Sequence, residues 1–156
     1  MVSNSVAHSN NRTELDTVEE DLANGRFVQE YQKSAVNGAS PLQLVIMLYD
    51  GAIRFMEAGK YGIEHQDLEL QNKNLQKAQK IVMELMSCID MDKGGDVAKN
   101  LLALYTYILN ELVEANVGDR IEPVDRCIRI LCNLRESWVE VEKMSRTEGI
   151  ELPQAA

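Results

Sequence analysis

The chain is 156 residues long, 45% apolar and 26% charged, with a formal net charge of −9 from 25 acidic and 16 basic residues. That length and composition suit one domain with a core large enough to fold alone. The acidic balance argues against a nucleic-acid groove, which needs clustered Lys and Arg, and no apolar run approaches the ~18–20 residues of a membrane span.

Residues 1–29 are rich in Ser, Asn, Glu and Asp and poor in large apolar groups. Arg12 and Arg26 oppose Glu14, Asp16, Glu19, Glu20 and Asp21, a balance of 2 − 5 = −3. Such a stretch buries too little surface to offset its ordering entropy, so a mobile acidic extension is expected. A short helix at 14–23, capped by Thr13, is compatible with it. The opening MVSNSVAHSNN lacks the basic lead and apolar core of a secretory signal. Glu30 to Ala39, with Tyr31, Gln32 and Val36 before Asn37 and Gly38, reads as an extended lead-in.

Helical signals begin at Ser40, Pro41, Leu42 and Gln43, an N-cap serine, a proline at N1 and a glutamine at N3. A first helix is predicted over 41–65. Leu44, Leu48, Ala52 and Phe55 form one apolar stripe, and Val45, Tyr49, Ala52 and Met56 a second, so the face is too broad for one neighbour. A second helix is predicted over 68–90, where Leu75, Ala78, Val82, Leu85 and Ile89 step in strict threes and fours. That seam favours near-antiparallel packing. Gly94 and Gly95 break the chain, and Asp96 is a good N-cap. The third helix is predicted over 97–116, with Val97, Leu101, Leu104, Ile108, Leu112 and Ala115 facing inward. The fourth is predicted over 123–146, opening at Pro123, with Val124, Ile128, Leu131, Leu134, Trp138 and Val141 as its inner stripe.

Four helices of ~20–25 residues with short connections specify an all-α fold, an antiparallel four-helix bundle over 30–147. Residues 148–156 are expected to be a flexible tail. The three cysteines, Cys88, Cys127 and Cys132, are odd in number and form no C-x-x-C pair, so reduced thiols packed as small hydrophobes are expected.

Catalytic chemistry finds little support. A di-iron bundle needs Glu-x-x-His on two helices, but His8 and His65 each lack a Glu three residues earlier. Zinc clusters, a Walker A loop and a dinucleotide fingerprint are missing from the sequence. Carboxylates such as Glu136 and Glu140, beside Arg135 and Lys143, read as a solvated face. No enzyme, metal or cofactor is expected.

One set of residues adds a further argument. Tyr31 and Gln32, Val36, and Ala39, Ser40 and Pro41 come first. Leu44 and Val45 follow, then the run Met47, Leu48, Tyr49, Asp50, Gly51, Ala52, Ile53, Arg54 and Phe55. Asn72, Leu75, Lys77, Ala78 and Gln79 come next, then Gly94 and Gly95. Asn100, Leu101, Leu102, Leu104, Tyr105 and Tyr107 precede Ala115 and Asn116. Leu134, Arg135, Glu136, Ser137 and Trp138 close the series. In this order the stretch from Tyr31 to about Glu142 resembles the flagellar export chaperone FliS family. Residues 1–24 look like an addition to that pattern, and Asn37 and Gly38 stand where a Thr often precedes Ala-Ser-Pro.

The resemblance implies an antiparallel helical bundle that binds the disordered C-terminal segment of flagellin in the cytoplasm. Such binding blocks premature polymerisation and keeps the subunit competent for flagellar type III secretion. It leaves an export-gate component of that apparatus as a second candidate partner. The physical mode would be an amphipathic segment laid into grooves between helices, folding as it binds. Partner-binding residues are expected among Tyr31, Gln32, Val36, Tyr49, Ile53, Leu101, Leu102, Tyr105, Ile108, Leu109 and Leu112. Leu102, Tyr105 and Leu109, offset from the third helix's inner face, suit either an exposed groove or packing on the fourth helix. Met47, Met83 and Met86 suit either an adaptable groove lining or core filling. In the family the N-terminal tyrosine segment packs on the bundle and shifts when client binds, a role that falls on Tyr31 by motif. The alternative is an adaptor or regulatory bundle that takes amphipathic helices of another partner.

Overall fold

The computed structural model describes residues 40–148. The acidic extension, the lead-in with Tyr31, Gln32 and Val36, and the tail beyond Glu148 lie outside the described residues. Within them are four helices and no strand: α1 Pro41–Glu64, α2 Leu68–Ser87, α3 Gly95–Gly118 and α4 Ile121–Glu148.

The start of α1 follows its sequence. Ser40 Oγ accepts from the Gln43 amide at 3.1 Å, and Gln43 Oε1 accepts from the Ser40 amide at 3.1 Å. This reciprocal pair satisfies two backbone donors that the first turn leaves open. Asp67 caps α2 by accepting from the Leu70 amide at 3.0 Å. The start of α3 differs from expectation: it begins at Gly95 with Gly94 as N-cap and no side-chain cap, and Asp96 sits in its first turn. Asp119, in the left-handed region at φ 53°, ends α3 and turns the chain into α4. Asp tolerates that conformation because its short polar side chain can bond locally.

The helices form a ring in which α1 packs between α2 and α4, and α3 closes the far side against the same two. Three contacts establish the antiparallel run of α1 and α4. Lys60 meets Asp125, Asp50 meets Arg135, and Gln43 meets Glu142, so one number falls as the other rises.

The α1–α2 seam is the tightest in the fold. A Cβ at Gly62 would stand 2.6 Å from the Gln71 backbone nitrogen, and one at Gly59 2.5 Å from Leu75 Cδ2. Only the missing side chains let the two backbones approach. Above the seam, Val45, Leu48, Tyr49, Ala52, Phe55 and Met56 of α1 meet Leu75, Ala78, Ile81, Val82 and Leu85 of α2 in one continuous core. Both stripes read on the first helix are buried, apart from Leu44, which is half-buried.

Several packing expectations are corrected. The inner stripe of α3 is Ala98, Leu101, Tyr105, Ile108, Leu112 and Ala115. Val97 is 65% exposed at the helix start, and Leu104 is half-buried on the α4 side. Trp138 and Leu134, expected in the core, are half-buried and pack against it from outside. The α4 helix is buried at Val124, Cys127 and Leu131, and the pairings of Arg126 with Glu111 and Cys127 with Ile108 put only its last turns beyond the start of α3. Ile89 falls past the end of α2. Cys88 and Cys132 are half-buried where full packing was expected.

Candidate partner-binding site

Two kinds of polar group reach the interior, and they fix the helices around which a site can form. At one end Gln71, 2% exposed, donates from Nε2 to the Asn116 carbonyl at 3.2 Å and to Asp119 Oδ1 at 2.8 Å. Asn116 Nδ2 donates to Asn72 Oδ1 at 2.8 Å. These bonds pin α2 to the end of α3 through amides and the Asp119 carboxylate. In the middle, Trp138 Nε1 donates to the Tyr49 hydroxyl at 3.0 Å, and the Tyr49 and Tyr105 hydroxyls are hydrogen-bonded to each other. The chain crosses the bundle from α4 through α1 to α3.

Burial pushes the phenols of Tyr49 and Tyr105 up from their ordinary values, so both stay neutral at physiological pH. Cys127, whose Sγ lies 3.7 Å from the Ile108 carbonyl, is pushed up to about 12, mainly by burial, with Glu111 adding to it. A thiol so far from ionisation is a packing group and not a nucleophile. The charged groups nearby are tied across the surface: Arg126 to Glu111 at 2.7 Å, Lys60 to Asp125 at 2.9 Å, and Arg135 to Asp50. Among the described residues no group of three or more His, Cys, Asp and Glu is placed to hold a metal ion, and no helix is long and apolar enough to cross a membrane.

The surface that remains lies on either side of α3. From Asn100 to Asn110 that helix carries no charged residue on any face. Leu102, Leu109 and Val113, at steps of seven and four, share the edge that Asn116 turns toward α2. On α2 the steps from Asn72 lead to Gln79, Met83 and Met86 on the facing edge. Leu102, Leu109 and Met86 are half-buried, while Met83 and Val113 are each 50% exposed. Helical spacing thus sets apolar side chains on the facing edges of α2 and α3, with Asn72, Gln76, Thr106 and Asn116 among them, and at the far end the concave surface beside Val113 also holds Glu114 and Arg120. On the other side, half-buried Leu104 faces α4, where Ile130, Leu134 and Val141 are also half-buried.

The sequence-predicted set divides accordingly. Leu102 and Leu109 come together on the α2–α3 edge. Ile53 is half-buried on the α4 side of α1. Tyr49, Leu101, Tyr105, Ile108 and Leu112 are enclosed in the core, beneath the grooves and out of reach of a surface partner in this arrangement. Tyr31, Gln32 and Val36 lie outside the described residues. Val113 was missed. It occurs just after Leu112 in a sequence that reads as core, and only its step of four from Leu109 marks the groove edge.

Comparison with known proteins agrees with this architecture. The profile of the family described as flagellar protein FliS matches residues 24–145. The chain is 33% identical over 118 residues to the flagellar secretion chaperone FliS of Vibrio cholerae, covering 73% of this chain and 87% of that one. It is 33% identical over 116 residues to that of Salmonella typhimurium, covering 74% and 86%. For that of Bacillus subtilis the identity is 30% over 118 residues, covering 76% and 87%. A crystal structure of a bacterial flagellar chaperone is similar in fold, with a TM-score of 0.64 over 77% of this chain and 98% of that chain at 18% identity.

Proposed function

The chain belongs to the FliS family of flagellar secretion chaperones, and on that membership we propose that it binds the C-terminal segment of flagellin in the cytoplasm, prevents its premature polymerisation and delivers it to the flagellar type III apparatus. Membership of a family of flagellar secretion chaperones supports a binding role over a catalytic one. An export-gate component is the second partner of the proposal.

The observation that supports this reading most is the uncharged stretch of α3 from Asn100 to Asn110 in a chain of net charge −9. An amphipathic client helix needs apolar walls for its side chains and neutral hydrogen-bonding groups that do not repel it, and the α2–α3 groove supplies both. Leu102, Leu109, Met83, Met86 and Val113 take the client's apolar face directly. Leu101, Tyr105, Ile108 and Leu112 form the floor beneath, Tyr49 holds that floor in register, and Ile53 belongs to the α4 side. Methionine walls adapt to differing side chains with little strain. Empty, such walls invite self-association. The segment with Tyr31, Gln32 and Val36 therefore covers them in the free chaperone and yields to client. Ordering a disordered client reduces the affinity gained per area, which suits a chaperone that must release its cargo.

The test is a calorimetric titration with full-length flagellin and with flagellin lacking its C-terminal segment. Saturable binding to the first and none to the second is expected. Binding that survives the truncation would sink the assignment and favour an adaptor with a different client.

A further inference from the structure

The apolar edge between α2 and α3 does not end at Val113. One turn further along α3, Val117 is 81% exposed, and one turn before Asn72 on α2, Leu68 is 64% exposed. The bonds of Asn116 to Asn72 and of Gln71 to Asn116 and Asp119 hold these two helix ends side by side. Val113, Glu114, Val117, Gly118 and Arg120 line the concave surface there, with the Arg120 stem laid against Gly118.

Charge along this edge is uneven. Its middle carries none, neither on α3 from Asn100 to Asn110 nor at Gln76, Gln79, Met83 and Met86 of α2. The turn pole, residues 61–69 and 113–122, sets Arg120 against Glu64, Asp67, Glu69, Glu114, Asp119 and Glu122, a balance of 1 − 6 = −5. The other residues of 40–148 comprise twelve bases and twelve acids, so this pole carries the whole net charge of the described residues. Asp67 is engaged by the Leu70 amide and Asp119 by Gln71. Glu69 and Glu114 form no hydrogen bond or ion pair among the described residues, and neither do Lys73, one turn beyond Glu69, and Arg120. The two helices that start at this pole have acids in their first turns, Glu69 on α2 and Glu122 on α4. The two that end there, α1 and α3, have no basic residue in their last turns, so their negative ends are left without a cation. At the other end of the edge, Lys93 and Lys99 stand among Asp90, Asp92 and Asp96. A helix laid from Leu102 to Val117 therefore meets uncharged walls over about four turns, ~22 Å at 1.5 Å per residue, and an excess of carboxylates at one end only.

We infer that the client helix taken by the α2–α3 edge is polarised, with its lysines or arginines at the turn pole. Leu68 and Val117 receive its last apolar side chain there, and Glu69 and Glu114 select its charge. The inference rests on the client reading and adds to it the placement of the bound segment and the residues that set its specificity. Complementary charge at one end fixes register and rejects a segment of the wrong sign more than it adds raw affinity.

The experiment titrates the full-length protein with two synthetic amphipathic helices of about 18 residues that share one leucine stripe. One ends in three lysines and the other in three glutamates. The lysine-ended peptide should bind about tenfold more tightly at low salt, and the preference should shrink in about 0.5 M NaCl. The exposed double variant E69K/E114K, with its fold checked by circular dichroism, should abolish or reverse the preference, which separates it from the peptides' own helicity. Val117→Ser should weaken both peptides. Equal affinities for the unaltered protein, a preference that persists in E69K/E114K, or indifference to Val117→Ser would each overturn the inference while leaving the groove standing. If neither peptide binds, the α2–α3 groove itself is refuted, and the inference with it.

Discussion

The α1–α2 seam and the edges of α3 both carry apolar stripes, yet they are finished in opposite ways. At the seam, Gly59 and Gly62 remove side chains so that Leu75 and Gln71 close against bare backbone, and nothing is left for a partner to touch. Along α3 the helices stand apart with side chains between them, and Met83, Val113, Leu102 and Leu109 keep part of their surface in water. Stability and binding therefore draw on different residues. Apolar area removed from water on folding stabilises the seam, and apolar area held back is what α3 offers a client.

Three substitutions test that division. The largest effect belongs to Leu85→Ala, wholly buried on α2. It should lower the unfolding free energy by about 2–5 kcal/mol through lost transfer energy and a cavity. Chemical denaturation measures it, and a loss under 1 kcal/mol would mean that the core on this side is not close-packed. Tyr49→Phe comes next. It strands the buried Tyr105 hydroxyl and removes the acceptor of Trp138, for a loss of about 1–3 kcal/mol. Trp138 emission should shift at the same time, and an unchanged spectrum together with unchanged stability would show that the hydroxyl chain does not couple the helices. Met83→Ser, on the groove wall, should change stability by no more than about 0.5 kcal/mol yet weaken flagellin-peptide binding about fivefold, near 1 kcal/mol. Titration calorimetry reads the affinity. Should stability fall and affinity hold, the two regions would not be separable as drawn.

Much of the fold was legible because local chemistry and periodicity agreed. Ser40 and Gln43 announced the start of α1, and Leu75, Ala78, Val82 and Leu85 announced a seam. On the inner face of α3, Leu101, Ile108, Leu112 and Ala115 were read correctly, but Leu104 was taken for its neighbour Tyr105 because hydrophobicity alone favours the leucine. Tyr105 is inside because its hydroxyl meets that of Tyr49, 56 positions away, a pairing that no local pattern encodes. Gln71 was passed over for the same reason: its partners Asn116 and Asp119 are distant in sequence. Trp138 was placed too deep because a stripe does not record that the indole N–H reaches the Tyr49 hydroxyl from the rim of the core. Of the candidate site, Leu102 and Leu109 were legible as offset positions. The groove's other wall depends on how α2 and α3 are set side by side, which only the assembled bundle shows.

The contact of Gln43 with Glu142 brings the first turn of α1 beside the last turns of α4. The described residues therefore start and stop at one pole, shared with the α2–α3 connection, and among them the opposite pole carries the turns at 65–67 and 119–120. A circular permutant opened at those turns would keep every described helix whole.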